Sequence, residues 1–181
     1  MSAGHGHIDP SNKKIALLIA VLALVLAFSE TLGKAVQTSA LSLNIEASNL
    51  WAFFQAKTIR QTVLRTAAEQ TSTAGSSEEA KKQVEAWRKT AQRYQSEPET
   101  GEGRDELMAR AKEAEKKRDR SMAAYHQYEL ASAAVQIAIV LASAAIVTGA
   151  MALAWIGAGL GVVGIVFCLI GFLAPTAVHF F

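Results

Sequence analysis

The sequence predicts an all-α integral membrane protein with three transmembrane helices and a helical, coiled-coil-like stalk between the first and the second. Hydrophobic residues make up 51% of the 181 residues, more than is usual for a soluble domain. They are concentrated near the two ends of the chain, in runs long enough for spanning helices, which need about 20 apolar residues. The charged middle of the chain has helical periodicity and no strand-like alternation.

The apolar runs define the membrane segments. The first run has one charged residue, Glu30, near its end, and the run from residue 131 to 181 has none. The predicted segments are a polar tail (1–14), transmembrane helices at 15–33, 129–149 and 152–173, and a short C-terminal tail (174–181). A cleaved signal peptide is the alternative for the first run, but its apolar stretch exceeds the about 7–15 residues typical of such peptides.

Residues 34–128 are predicted to form the soluble helical stalk, with helices at about 34–70, 77–95 and 104–128. The connections TSTAGSS and SEPETGEG consist of turn residues. Ser76 and Glu79 have the spacing of a capping box, which indicates a helix start. We expect the first span to continue into the stalk and the last stalk helix to continue into the second span. Three stalk helices do not return to one membrane face simply, so either the middle helix lies across the stalk or the first bends near 44–49.

The stalk has 16 Lys and Arg residues against 13 Asp and Glu residues, a mixed surface that does not favour nucleic-acid binding. Basic residues near the membrane ends are more numerous on the stalk side. The positive-inside rule therefore predicts a cytoplasmic stalk and C-terminus and a periplasmic N-terminus. The expected localisation is the bacterial inner membrane, with the lipid bilayer as the first partner.

Small residues recur at steps of three and four in each span, a pattern that lets membrane helices approach closely. The predicted packing positions are Ala16, Ala20, Ala23 and Ala27 in the first span, Ala138, Ala142, Ala145 and Gly149 in the second, and Gly157, Gly161, Gly164 and Gly171 in the third.

Glu30 and Lys34 continue the first stripe. Together with Gln136 they form the candidate polar membrane site, interpreted as an ion pair or a polar contact between helices, with an ion pathway as the alternative.

The candidate stalk interface is aromatic. It comprises Trp51, Phe53 and Phe54 on the first stalk helix and Trp87 and Tyr94 on the middle one. A core between these two helices is the favoured interpretation, and a surface for docking a partner is the alternative.

No motif indicates catalysis. The G-x-G-x-x-G match at 159–164 lies in a predicted membrane helix without the strand and acidic residue of a dinucleotide site. His5, His7 and Asp9 lie in the tail and are too few for a held metal site. The only cysteine, Cys168, lies in the last span. We therefore expect no catalytic residue, no cofactor and no metal, and a protein that is not an enzyme.

The segment from SETLGK at 29–34 to ASNLWAFFQAKTIRQ at 47–61 resembles the signature of a bacterial membrane family catalogued as domain of unknown function 4337. The later layout, a charged helical middle before a two-span hairpin, is similar as well. The resemblance implies a small bacterial inner-membrane protein and no particular activity.

The favoured function is therefore that of a homo-oligomeric inner-membrane scaffold or accessory assembly component that acts through its stalk. An oligomeric channel or ion or proton pathway lined by Glu30 and Gln136 is the first alternative. A minor subunit of another membrane protein complex is the second.

Overall fold

The computed structural model describes residues 10–75 and 77–177. Its helices are α1 (Pro10–Ala74), α2 (Glu78–Gln95), α3 (Arg104–Thr148) and α4 (Met151–Leu173). The predicted all-α class is confirmed for these residues, which contain no strand. Three of the helices, α1, α3 and α4, are long and apolar enough to cross a membrane. Ser76 and parts of the two predicted tails, 1–9 and 178–181, lie outside the described residues.

The helix ends follow from local hydrogen bonding. The Ser77 hydroxyl accepts a hydrogen bond from the Ala80 N–H at 3.2 Å, so the N-cap of α2 is Ser77. At the end of α3, Gly149 has φ of 73°, and its N–H donates to the Ala145 carbonyl at 2.9 Å. Glycine adopts this left-handed conformation without strain, which allows a very short connection to α4.

The chain divides into two compact units. The first, here called the apolar unit, comprises the described parts of Met1–Ala40 and Asp119–Phe181. Its core contains two clusters of buried side chains contributed by α1, α3 and α4. These are Ile15 with Ala142, Ala145 and Ala154, and Leu22 with Val135 and Ala138.

The second unit, here called the charged unit, comprises Leu41–Arg118. Within it, α2 and α3 lie one after the other along α1. Gln61 of α1 donates to the Ala91 carbonyl near the end of α2 at 2.9 Å and accepts from Arg104, the first residue of α3. Farther along, Asn44 accepts from Arg118 at 3.2 Å.

This arrangement is neither of the two predicted from the sequence. α2 does not lie across the unit, and α1 continues without a break through residues 44–49. Instead the chain returns along α1 as two consecutive helices joined by the 96–103 loop. Residues 34–70, expected to continue the first span, are part of the single 65-residue helix α1.

Candidate functional site

The apolar unit contains a polar groove of about 410 Å³ between α1 and α3. The α1 side is lined by Ser29, Glu30, Gly33, Lys34 and Gln37, and the α3 side by Tyr125, Tyr128, Glu129, Ser132, Ala133 and Gln136. These positions recur at steps of three and four, so each set lies on one face of its helix. We refer to this surface as the polar groove.

Glu30 contacts α3 rather than its own helix. Its carboxylate accepts a hydrogen bond from Gln136 Nε2 at 3.2 Å. Among the described residues, no carboxylate lies within 4.0 Å of the Lys34 ammonium, so an ion pair between Glu30 and Lys34 is not formed. Of the two structural interpretations of Glu30, the geometry corresponds to the polar contact between helices. Glu30, Lys34 and Gln136 nevertheless line the same groove.

The floor of the groove consists of small residues. A Cβ atom added at Gly33 would lie 3.3 Å from the Cβ of Tyr128, which shows how closely α1 and α3 approach here. Ser29 is fully buried, at 0% exposure, and its hydroxyl has no hydrogen-bond partner among the described residues. A buried polar group without a partner costs about 1–3 kcal/mol.

The second and third small-residue stripes lie where α3 and α4 meet. Ala138, Ala142 and Ala145 of α3 are buried, as are Gly157, Gly161, Gly164 and Gly171 of α4. A Cβ at Gly157 would lie 2.8 Å from the Ala138 carbonyl oxygen, and one at Gly164 would lie 3.1 Å from the Ala131 carbonyl oxygen. Gly149 is exposed in the connection and takes no part in this contact.

The small-residue stripe of the first span lies on an exposed face of α1. Ala16, Ala20, Ala23 and Ala27 are all exposed. α1 instead packs within the apolar unit through Ile15, Leu22, Ser29 and Gly33. These four alanines therefore take no part in the packing of the described apolar unit, and their role in helix packing with another molecule stays a prediction. A large side chain, Leu22, fills the space that Gly161 leaves on α4, and a Cβ there would lie 2.4 Å from Leu22 Cδ2.

The aromatic residues of the charged unit also pack differently from the prediction. Trp51 donates from Nε1 to Glu115 of α3 at 2.9 Å and meets Phe54 edge to face at 5.4 Å. Both rings pack against the buried cluster of Leu50, Leu107 and Ala111, so this core joins α1 to α3 rather than to α2.

Lys57 of α1 contacts α2 through the ring of Tyr94. Its ammonium lies 5.0 Å from the ring centroid of Tyr94 and 5.4 Å from that of Phe53. Lys57 is 6% exposed, and its nearest acid is Glu102 at 3.8 Å. Trp87 is half-buried on α2. Cations over aromatic rings are stabilised by the ring quadrupole, so this arrangement lets a lysine be buried between helices.

A network of polar side chains, here called the helix joint, lies where α2 ends and α3 begins. Gln61 Nε2 donates to Gln95 Oε1 at 3.1 Å, and Arg104 donates to both Gln61 Oε1 and Gln95 Oε1. Gln61 is only 2% exposed. This network could not be predicted from the sequence, because a glutamine within a polar helix is not distinguishable from a surface residue.

The 96–103 loop next to the joint is fixed by carboxylates. Glu106 accepts from the Ser96 hydroxyl at 2.6 Å, and this hydrogen bond is the main reason that the pKa of Glu106 lies below its ordinary value. The pKa of Glu97 is lowered mainly by the hydrogen bond from Arg93, whose Nε lies 3.0 Å away. Gly103 packs closely against this loop, since a Cβ there would lie 2.5 Å from the Glu97 backbone nitrogen.

Within residues 10–75 and 77–177, no cluster of three or more His, Cys, Asp or Glu side chains has the geometry of a metal site. His5, His7 and Asp9 lie outside the described residues. The G-x-G-x-x-G match at 159–164 lies within α4, where its glycines face α1 and α3 or open space.

The comparisons with known proteins give one match. The model of a family described as Domain of unknown function (DUF4337) matches residues 11–174, nearly the whole chain. No curated protein and no solved structure matches the chain. The match includes all four helices apart from the first residue of α1, and therefore both the polar groove and the helix joint. The chain belongs to the DUF4337 family.

Proposed function

We propose that this protein is a non-enzymatic scaffold of the bacterial inner membrane that assembles as a homo-oligomer through α1. In this proposal α1, α3 and α4 cross the bilayer, and the charged unit lies in the cytoplasm with the C-terminus. The assembled charged units then present a fixed array of surfaces to other membrane components.

One observation carries the proposal. In the described part of the charged unit, the large hydrophobic side chains that remain exposed all lie on α1. They are Leu41, Ile45, Phe53, Ile59 and Val63, with exposures from 36% to 64%. Large apolar side chains that are exposed on one helix of a unit in water favour a partner that buries this helix.

The sequence register of α1 favours a second copy as that partner. Leu41, Ile45, Ala52, Ile59 and Val63 follow a 3.6-residue period. The exposed alanines from Ala16 to Ala27 keep the same phase. The register passes through Glu30 and Lys34, and on either side of this pair, in 16–27 and in 38–66, no charged residue occupies it, so identical copies do not repel one another in those two ranges. Small residues suit helix contacts in lipid and large apolar residues suit contacts in water.

Cysteine cross-linking in native membranes tests this proposal. With Cys168→Ala as the background, Ile59→Cys is expected to give disulfide-linked dimers after mild oxidation. Arg60→Cys is the matched control, because Arg60 is also exposed but lies about 100° around the helix. Equal cross-linking of the two variants, or none at residue 59, would contradict assembly through this face.

A second candidate function is an ion or proton pathway, which the exposed positions of Glu30 and Gln136 in the polar groove favour. Carboxylates in membrane segments commonly mark such pathways. Glu30→Gln tests it in liposomes: lost flux with intact assembly supports a pathway, whereas unchanged flux removes Glu30 from it.

A third candidate, a minor subunit of a larger membrane complex, predicts that other polypeptides remain bound after gentle solubilisation. The scaffold proposal predicts particles that contain this chain alone.

A further inference from the structure

The polar groove lies where the uncharged parts of α1 and α3 begin. No charged residue occurs between Lys14 and Glu30 in α1, and none follows Glu129 in α3. Tyr125 and Tyr128 line the same groove, and tyrosine is enriched at the level of lipid headgroups. In a chain whose α1 and α3 span a bilayer, the groove therefore opens at the headgroup level.

The charges of the groove suit a ligand that carries both signs. Glu30 and Glu129 supply two carboxylates and Lys34 supplies one ammonium. Glu30 accepts one hydrogen bond, from Gln136, which leaves acceptor capacity on its oxygens. The Lys34 ammonium has no acidic partner within 4.0 Å in the described chain. An ammonium ligand is thus attracted by the carboxylates and a phosphate by Lys34.

The buried hydroxyl of Ser29 is a second and independent indication of a ligand. It lines the groove at 0% exposure without a hydrogen-bond partner among the described residues. Four exposed hydroxyls of the apolar unit bond to the carbonyl four residues earlier, those of Thr31, Thr38, Ser143 and Thr148. Ser29 does not, so its hydroxyl remains available to a polar group that enters the groove.

We infer that the polar groove binds a phosphoethanolamine headgroup, with the ammonium against Glu30 and Glu129 and the phosphate against Lys34. The lipid phosphatidylethanolamine is the source that matches the headgroup level of the groove. A volume of about 410 Å³ is within the range of small-molecule sites. The inference rests on insertion of α1 and α3 in a membrane and does not depend on oligomerisation.

Native mass spectrometry of the full-length protein, with equimolar phosphatidylethanolamine and phosphatidylglycerol in the detergent, tests this inference. The wild type is expected to retain phosphatidylethanolamine preferentially. Glu30→Gln and Lys34→Gln should each weaken that retention about fivefold, the upper range for one exposed ion pair. Glu113→Gln and Lys14→Gln are matched controls outside the groove and should leave it unchanged.

A steric variant keeps the inference testable if a charge variant misfolds. Ser132→Leu fills the groove without changing its charge and should abolish the preference. Displacement of the lipid by millimolar soluble phosphoethanolamine would show that the headgroup alone is recognised, and no displacement would assign the lipid as the ligand. Equal retention of the two lipids by the wild type, or an unchanged preference in all three groove variants, would overturn the inference.

Discussion

The contact between α3 and α4 should be sensitive to a single added methyl group at Gly157. A Cβ there would lie 2.8 Å from the Ala138 carbonyl oxygen and 3.4 Å from the Ala142 nitrogen. These are backbone atoms, which cannot rotate away, so the two helices would have to move apart. Overpacking of this kind costs about 1–3 kcal/mol. Alanine's better helix propensity, worth up to about 1 kcal/mol, offsets part of that cost.

Gly159→Ala is the matched control, because nothing lies within 4 Å of a Cβ at this position two residues along the same helix. The full chain in detergent is unfolded by titration with sodium dodecyl sulfate and followed by circular dichroism. We expect Gly157→Ala to unfold at a lower fraction of the denaturing detergent than the wild type, and Gly159→Ala at the same or a higher one. Identical transitions for the two variants would refute the reasoning that this glycine sets the helix spacing.

Three further predictions concern the charged unit of the full-length protein. Gly103→Ala should destabilise it by about 2 kcal/mol in chemical unfolding, because the added Cβ meets a backbone nitrogen at 2.5 Å, whereas Gly75→Ala, with open space around it, should not. Gln61→Leu should cost about 1–3 kcal/mol by removing the buried hydrogen bonds that Gln61 makes with Arg104 and the Ala91 carbonyl, while Gln55→Leu on the exposed surface should have little effect. Because the folded pKa of Glu106 lies below its ordinary value of 4.5, its ionised form stabilises the 96–103 loop above about pH 4.5. That stabilisation should be lost as the pH falls through the lowered pKa, and Glu106→Gln should flatten this dependence in hydrogen exchange of the loop.

The all-α class and the three apolar helices were predictable because both depend on composition and period. Uncharged runs of this length predict helices that can span a membrane, and the turn-forming connections predict where the helices end. The pairing of α3 with α4 through small residues could also be predicted from the sequence, since a two-residue connection forces two helices to lie side by side. The glycines then mark the face on which they meet.

The face through which α1 packs in the apolar unit could not be predicted from the sequence in the same way. An alanine spacing of three and four residues marks a face but does not say which partner covers it. Leu22 rather than an alanine fills the space at Gly161, so α1 and α4 meet through a large side chain that packs against a glycine. Likewise, the return of α2 and α3 along α1 depends on Gln61 and Arg104, whose polarity is compatible with a surface position until the neighbouring helices are known.

The most direct test of assembly through α1 is the mass of the particle extracted gently from its own membranes. The account predicts a whole-number multiple of the 19.3 kDa chain, with a shift toward a single chain when Leu41, Ile45 and Ile59 of the exposed α1 face are changed to glutamate. A single-chain mass for the wild type, or a mass that requires other polypeptides and does not respond to the α1 substitutions, would contradict it.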